Sequence, residues 1–144
     1  LSDEKLRPDS VPDPGGLVSG QSRRVARAIE REVEFADGEM IVREGDDGAE
    51  MFIVQSGRVV ISRHRDCSDT ILQVVERGEF FGEMSLLESL PRDADARADG
   101  RTRLLVIGPG GLLLRLRRDP SLALEMLHIL SGRVRALNQR LDAR

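Results

Sequence analysis

Phe80-Phe81-Gly82-Glu83-Met84-Ser85-Leu86-Leu87-Glu88-Ser89-Leu90-Pro91-Arg92-Asp93-Ala94 is the stretch from which the rest of this 144-residue chain is read. Gly82 lets the backbone approach a ligand closely, and a short helix beginning near Glu83 points free N–H groups at whatever precedes it. Nine positions after Glu83 stands Arg92, whose guanidinium forms paired hydrogen bonds to a phosphate. Glu83 accepts hydrogen bonds from hydroxyl groups but repels that same phosphate. A ligand carrying both a phosphate and a sugar hydroxyl satisfies the two residues together, so the stretch reads as an anion site.

In its order and spacing this stretch resembles the phosphate-binding cassette of cyclic-nucleotide-binding domains, the sensor module shared by catabolite-activator-like regulators, cyclic-nucleotide-dependent kinases and gated channels. The usual cassette runs Phe-Gly-Glu, an apolar residue, a small residue, Leu, some variable positions, then Pro-Arg, a small residue and Ala. Here it reads FFGEMSLLESLPRDADARA. The likeness extends upstream through Asp37-Gly38-Glu39, Arg43-Glu44-Gly45-Asp46-Asp47-Gly48 and Met51-Phe52-Ile53-Val54-Gln55-Ser56-Gly57, and downstream through Asp119-Pro120-Ser121-Leu122-Ala123-Leu124. It covers roughly residues 30 to 142.

The resemblance implies an α+β fold: an antiparallel β jelly roll of the double-stranded β-helix type, with an N-terminal helix, a short cassette helix and a long C-terminal helix. It implies that Glu83 accepts from a ribose 2′-hydroxyl, that Arg92 pairs with the cyclic phosphate, and that amides of Gly82 and Ala94 complete the anion nest. Phe81, Met84, Ser85 and Asp93 complete the ligand-binding set. In the family the long helix often caps the base, and Arg133, Arg135, Leu137 and Asn138 are the candidates by position. Asp93 departs from the pattern, which usually has Ala, Ser or Thr there. A threonine hydroxyl at this place is associated with cyclic GMP, so its absence favours cyclic AMP as the regulatory ligand. A carboxylate turned toward the phosphate would oppose it, and alternation along the chain beside Arg92 leads us to expect Asp93 to point outward.

Length and composition fit one soluble-type domain: 40% of residues are hydrophobic, 33% are charged, and no apolar run approaches a membrane span. The lone Cys67 excludes an intramolecular disulfide, which fits a reducing cytoplasm. All 22 basic residues except Lys5 are arginine, yet the net charge is −3 and there is no Trp or Tyr to stack on bases. Direct nucleic-acid binding by this segment is therefore not expected. Activator-like relatives carry a helix-turn-helix after the long helix, and none is read before Arg144. Because the chain begins at Leu1, it reads as an excised or processed piece whose fused or partner output domain is not specified.

Residues 1–20, with Pro8, Pro12, Pro14, Gly15, Gly16 and Gly20, read as a flexible linker or arm, and residues 21–144 as the nucleotide-binding domain with its C-terminal helix. Ser22 caps an expected helix running to about Arg31, with Val25, Ala28 and Ile29 as its apolar stripe. Short runs between glycine turns follow, predicting strands over Val33–Phe35, Met40–Val42, Met51–Gln55, Arg58–Arg65, Thr70–Glu76, Asp95–Ala98 and Arg103–Ile107. The turn before Thr70 is expected to hold Asp66, Cys67, Ser68 and Asp69. Beyond Gly108 the period is helical: a short helix over Leu112–Arg117, then one from Asp119-Pro120 to about Asp142. On the latter, Leu127, Leu130, Val134, Leu137 and Leu141 are spaced three, four, three and four apart, the seam of a coiled coil, predicting a homodimer.

Metal chemistry on a jelly roll needs clustered histidines and carboxylates, but only His64 and His128 exist, and Ser85 has no histidine partner in the sequence. Neither a metal site nor catalysis is expected. A nucleotide-free interaction or dimerisation module with the same fold is the alternative to a sensor.

Overall fold

Alternation of apolar and polar residues, as in Val33-Glu34-Phe35, gives a strand one face that leaves water and one that stays in it, whereas the unbroken apolar runs Met51-Phe52-Ile53-Val54 and Leu104-Leu105-Val106-Ile107 are buried or half-buried on both faces. The structure, a computed structural model, describes residues 30–142. Its elements in chain order are β1 (Glu30–Phe35), β2 (Met40–Val42), β3 (Met51–Arg65), β4 (Ser68–Val75), β5 (Phe80–Phe81), α1 (Glu83–Glu88), β6 (Asp95–Ile107), α2 (Pro109–Arg118) and α3 (Ser121–Asp142). The described chain divides between Gly111 and Leu112 into a β unit and a helical unit.

Every strand pairing is antiparallel, in the order β1-β6-β3-β4, with β2 added to β6 and β5 to β3. The long strands serve different partners at their two ends. The C-terminal half of β6 pairs with β1, from Thr102↔Phe35 to Ile107↔Glu30, while its N-terminal end pairs with β2 through Arg97↔Met40. This is the α+β jelly roll expected from the sequence. Its core is built from alternate residues: Phe52, Val54 and Val59 of β3, Val75 of β4, Phe81 of β5, and Ala96, Leu104 and Val106 of β6, with Val33, Phe35, Ile41, Val42 and Ile61 packed around them.

Several boundaries differ from the sequence reading: the helix expected over Leu112–Arg117 already begins at Pro109, and the two-residue strand Phe80–Phe81 was not expected. Glu30 and Arg31, expected at the end of a helix, begin β1 because they register against Ile107 and Val106. The rest of that expected helix, and the arm before it, lie outside the described residues. Met51–Gln55 and Arg58–Arg65 are one strand, not two: Gly57, at φ 86°, absorbs the register shift, and a Cβ there would meet the Arg101 carbonyl at 2.4 Å. Asp95–Ala98 and Arg103–Ile107 are likewise continuous through Gly100. The β3–β4 hairpin turns on only Asp66 and Cys67, both left-handed (φ 52° and 63°), which suits the twist of a two-residue connection.

In the helical unit, α3 is one uninterrupted helix of 22 residues. Leu127, Val134, Leu137 and Leu141 are exposed on it and Leu130 is half-buried. No helix among the described residues is long and apolar enough to cross a membrane.

Candidate functional site

Phe80 and Phe81 are buried because they pair across to Ile53 and Phe52, and the Phe81 and Phe52 rings stack with centroids 4.8 Å apart. The chain must then leave the sheet abruptly. Gly82 does this in a left-handed conformation (φ 81°, ψ 8°) as the N-cap of α1. Glu83 is the first residue of α1 and is half-buried, Met84 is exposed, and Ser85 is buried on the inner face. Ser89, also left-handed, closes the helix by donating its N–H to the Ser85 carbonyl at 3.1 Å.

The returning segment is fixed by its backbone. The Arg92 N–H donates to the Asp46 carbonyl (2.9 Å), and the Gly45 N–H donates to the Arg92 carbonyl (2.8 Å). The side chain turns inward and is only 7% exposed. Its Nη1 donates to the carbonyls of Glu50 (2.8 Å) and Gly82 (3.3 Å), and its Cζ lies 5.3 Å from the centre of the Phe52 ring. Among the described residues no carboxylate lies within ion-pair distance of it. Burial pulls the Arg92 guanidinium below the usual arginine range, while the charges of Glu50, Asp46 and Asp93 act the other way. An arginine remains protonated at neutral pH under such a pull. The site therefore holds a buried cation that takes main-chain carbonyls on Nη1 and has its Nε–Nη2 edge, the fork suited to an oxyanion, facing Gly48.

Gly82 and Gly48 make this packing possible. A Cβ on Gly82 would stand 3.0 Å from Arg92 Nη1 and 3.2 Å from Phe52 Cδ1. One on Gly48 would stand 2.4 Å from Nη2. Phe81, Ser85, Arg92 and Ala94 are each buried and Gly82 and Glu83 half-buried, and contacts tie Arg92 to Gly82 directly and to Phe81 through the Phe52 ring. Asp93 is exposed, its carboxylate 3.8 Å from Arg63 Nη2. Arg133, Arg135, Leu137 and Asn138 lie on α3 in the helical unit. Sequence reasoning did not single out Gly48, Glu50, Phe52 or Arg63. Gly48 and Phe52 sit in blocks that already carried the resemblance, but their bearing on Arg92 depends on approach between distant segments.

Two other features lack this chemistry. An open depression of about 450 Å³ is lined by Glu34, Phe35, Ala36, Asp37 and Arg101 and shares no residue with the cassette. His64 meets Asp69 at 2.7 Å across the exposed end of the hairpin.

Comparison with known proteins gives the family and the fold. Residues 32–119 match the sequence profile of the family described as cyclic nucleotide-binding domain. The chain is 34% identical over 92 residues to a cAMP-dependent protein kinase regulatory subunit of Mucor circinelloides f. lusitanicus, covering 64% of this chain and 21% of that protein. Its structure is similar to the crystal structure of Thermus thermophilus catabolite activator protein, with a TM-score of 0.71 and 31% identity over 88% of this chain and 60% of that one. It is also similar to a cAMP-bound EAL enzyme, with a TM-score of 0.57 and 28% identity over 78% of this chain and 30% of that one. The chain therefore spans less than two thirds of each of these proteins and belongs to the cyclic nucleotide-binding domain family.

Proposed function

We propose that this chain is a non-catalytic cytoplasmic sensor of cyclic nucleotides, with cyclic AMP favoured over cyclic GMP, and that it passes binding on through its C-terminal helix. The observation that carries the reading is Arg92: a buried guanidinium, held on Nη1 by two main-chain carbonyls, with no carboxylate among the described residues within ion-pair distance. Such a cation is suited to receive a phosphate in bidentate fashion. Glu83 accepts from the ribose 2′-hydroxyl, and amides of Gly82 and Ala94 add donors to the phosphate. Phe81, Met84, Ser85 and Asp93 line or support the same site, and Arg133, Arg135, Leu137 and Asn138 are the candidates to cap the base. A related kinase regulatory subunit and a related enzyme structure carry cyclic AMP in their names, which supports the choice of ligand. The output domain, fused or separate, is what such a sensor would control.

Calorimetry with cyclic AMP and cyclic GMP tests the reading. Saturable binding is expected, tighter for cyclic AMP. Arg92→Ala and Glu83→Ala should each weaken it by about 1.5 to 3 kcal/mol, the range for a hydrogen bond to a charged group. Two variants that bind like wild type would show that the pocket lies elsewhere. One observation favours a second reading, a nucleotide-free interaction module: the Asp93 carboxylate next to Arg92 in sequence. Absence of any saturable binding by wild type would favour that module.

A further inference from the structure

Asp93 places a carboxylate beside the phosphate-binding arginine, and the structure meets it with a second cation. Arg63 of β3 reaches the cassette from 30 residues away: its Nε donates to the Asp93 carbonyl at 2.8 Å, and its Nη2 lies 3.8 Å from Asp93 Oδ2. Two residues further along the strand, and so on the same face, Arg65 holds the Glu44 carboxylate with Nη1 at 2.9 Å and Nη2 at 2.6 Å. The Glu44 N–H in turn donates to Asp95 Oδ1 at 2.7 Å. The turn that carries Glu44 is the one bonded to the Arg92 main chain through Gly45 and Asp46. One strand thus grips, with one arginine each, the two segments that hold Arg92 between them.

Resting on the nucleotide-sensing reading, we propose that Arg63 is a positioning residue of the phosphate site: it fixes the main chain immediately after Arg92 and offsets the Asp93 carboxylate, so that an anionic ligand meets a cationic site. Both side chains are more than one third exposed, Arg63 at 37% and Asp93 at 62%, so their pairing adds little to fold stability. Its effect falls on the ligand, whose charge is brought into a partly desolvated site where a bare carboxylate acts more strongly than in water. The main-chain bond from Nε survives removal of the Asp93 side chain, whereas the charge compensation loses its purpose. The two contributions are therefore separable.

The test is titration calorimetry of the full chain with cyclic AMP at low and moderate salt, using wild type, Arg63→Ala, Arg63→Lys, Asp93→Ala and the Arg63→Ala, Asp93→Ala double variant. Thermal melting of each serves as a control. Arg63→Ala should bind about fivefold or more weakly, with the loss growing as salt is lowered and the melting temperature nearly unchanged. Arg63→Lys keeps the charge and should recover part of the loss, and it remains informative if the alanine variant misfolds. Asp93→Ala should bind about twofold more tightly, and the double variant should be tighter than Arg63→Ala alone. Arg63 variants equal to wild type, or a double variant no tighter than Arg63→Ala, overturn the proposal and leave the sensing reading intact. A wild type that binds neither cyclic AMP nor cyclic GMP overturns that reading and this proposal with it.

Discussion

Gly48 presents a bare α-carbon to the fork of Arg92: a Cβ built on it would lie 2.4 Å from Nη2, 2.5 Å from Nε and 2.7 Å from Cζ. These distances are below any carbon contact a folded protein sustains, so a side chain at 48 and this arginine conformation exclude each other. Arg92 cannot simply swing aside, because Nη1 is held by the Glu50 and Gly82 carbonyls and the guanidinium lies over Phe52. Gly48→Ala should therefore weaken cyclic-AMP binding by about tenfold or more while leaving the far-UV spectrum unchanged, the loss matching part of a charge-assisted bond. Calorimetry on the purified variant checks this, and an unaltered affinity would mean that the fork is not the phosphate contact.

Phe52 links the core to the site, since one ring stacks on Phe81 and carries the Arg92 guanidinium. Phe52→Leu keeps an apolar group of similar reach but removes both ring interactions. It is expected to lower unfolding free energy by about 1 to 2 kcal/mol and to weaken nucleotide binding as well. Urea denaturation with and without cyclic AMP measures the two effects. A stability loss with full affinity would assign Phe52 to the core alone.

The Arg65–Glu44 pair gives a pH signature. The two hydrogen bonds from Arg65 hold the Glu44 carboxyl below the usual carboxylate range, and the same pair raises Arg65. A carboxylate whose value falls on folding contributes fully above its unfolded value and loses that contribution as pH drops through the folded one. The grip of β3 on the turn bearing Glu44 should therefore be complete at neutral pH and open only in acid. An NMR titration of the Glu44 side chain in wild type and Arg65→Ala reads this directly: the midpoint should rise in the variant. Equal midpoints would show that the pair does not persist in solution.

Assembly is expected through α3. Four of the five seam residues, Leu127, Val134, Leu137 and Leu141, are 55% to 63% exposed. Burying such side chains against a second copy yields roughly 1.5 to 3 kcal/mol for each one fully buried. Sedimentation of wild type and of a Leu130→Glu, Leu137→Glu double variant, with and without cyclic AMP, should show a dimer that the double variant loses and nucleotide modulates. A wild-type monomer at tens of micromolar, where an interface of about −7 kcal/mol already assembles, would rule the dimer out.

By itself the sequence determined the family, through its resemblance, and the strand-rich jelly roll and the long helix, which follow from local order: a period of two, a period near 3.6, and glycines where chains reverse. Through that resemblance the sequence made Phe81-Gly82-Glu83 and Pro91-Arg92 legible. It misplaced the breaks at Gly57 and Gly100, since a glycine that bends a strand and a glycine that ends one look alike until the partner strand is known. The short β5 was missed because two residues form no pattern of their own and become a strand only by pairing with Ile53 and Phe52. Only the tertiary structure decided what surrounds Arg92. The carbonyl of Glu50, the ring of Phe52, the bare backbone of Gly48 and the tie from Arg63 to Asp93 come from segments 30 to 44 residues away, and no local preference encodes which distant groups a buried charge will meet.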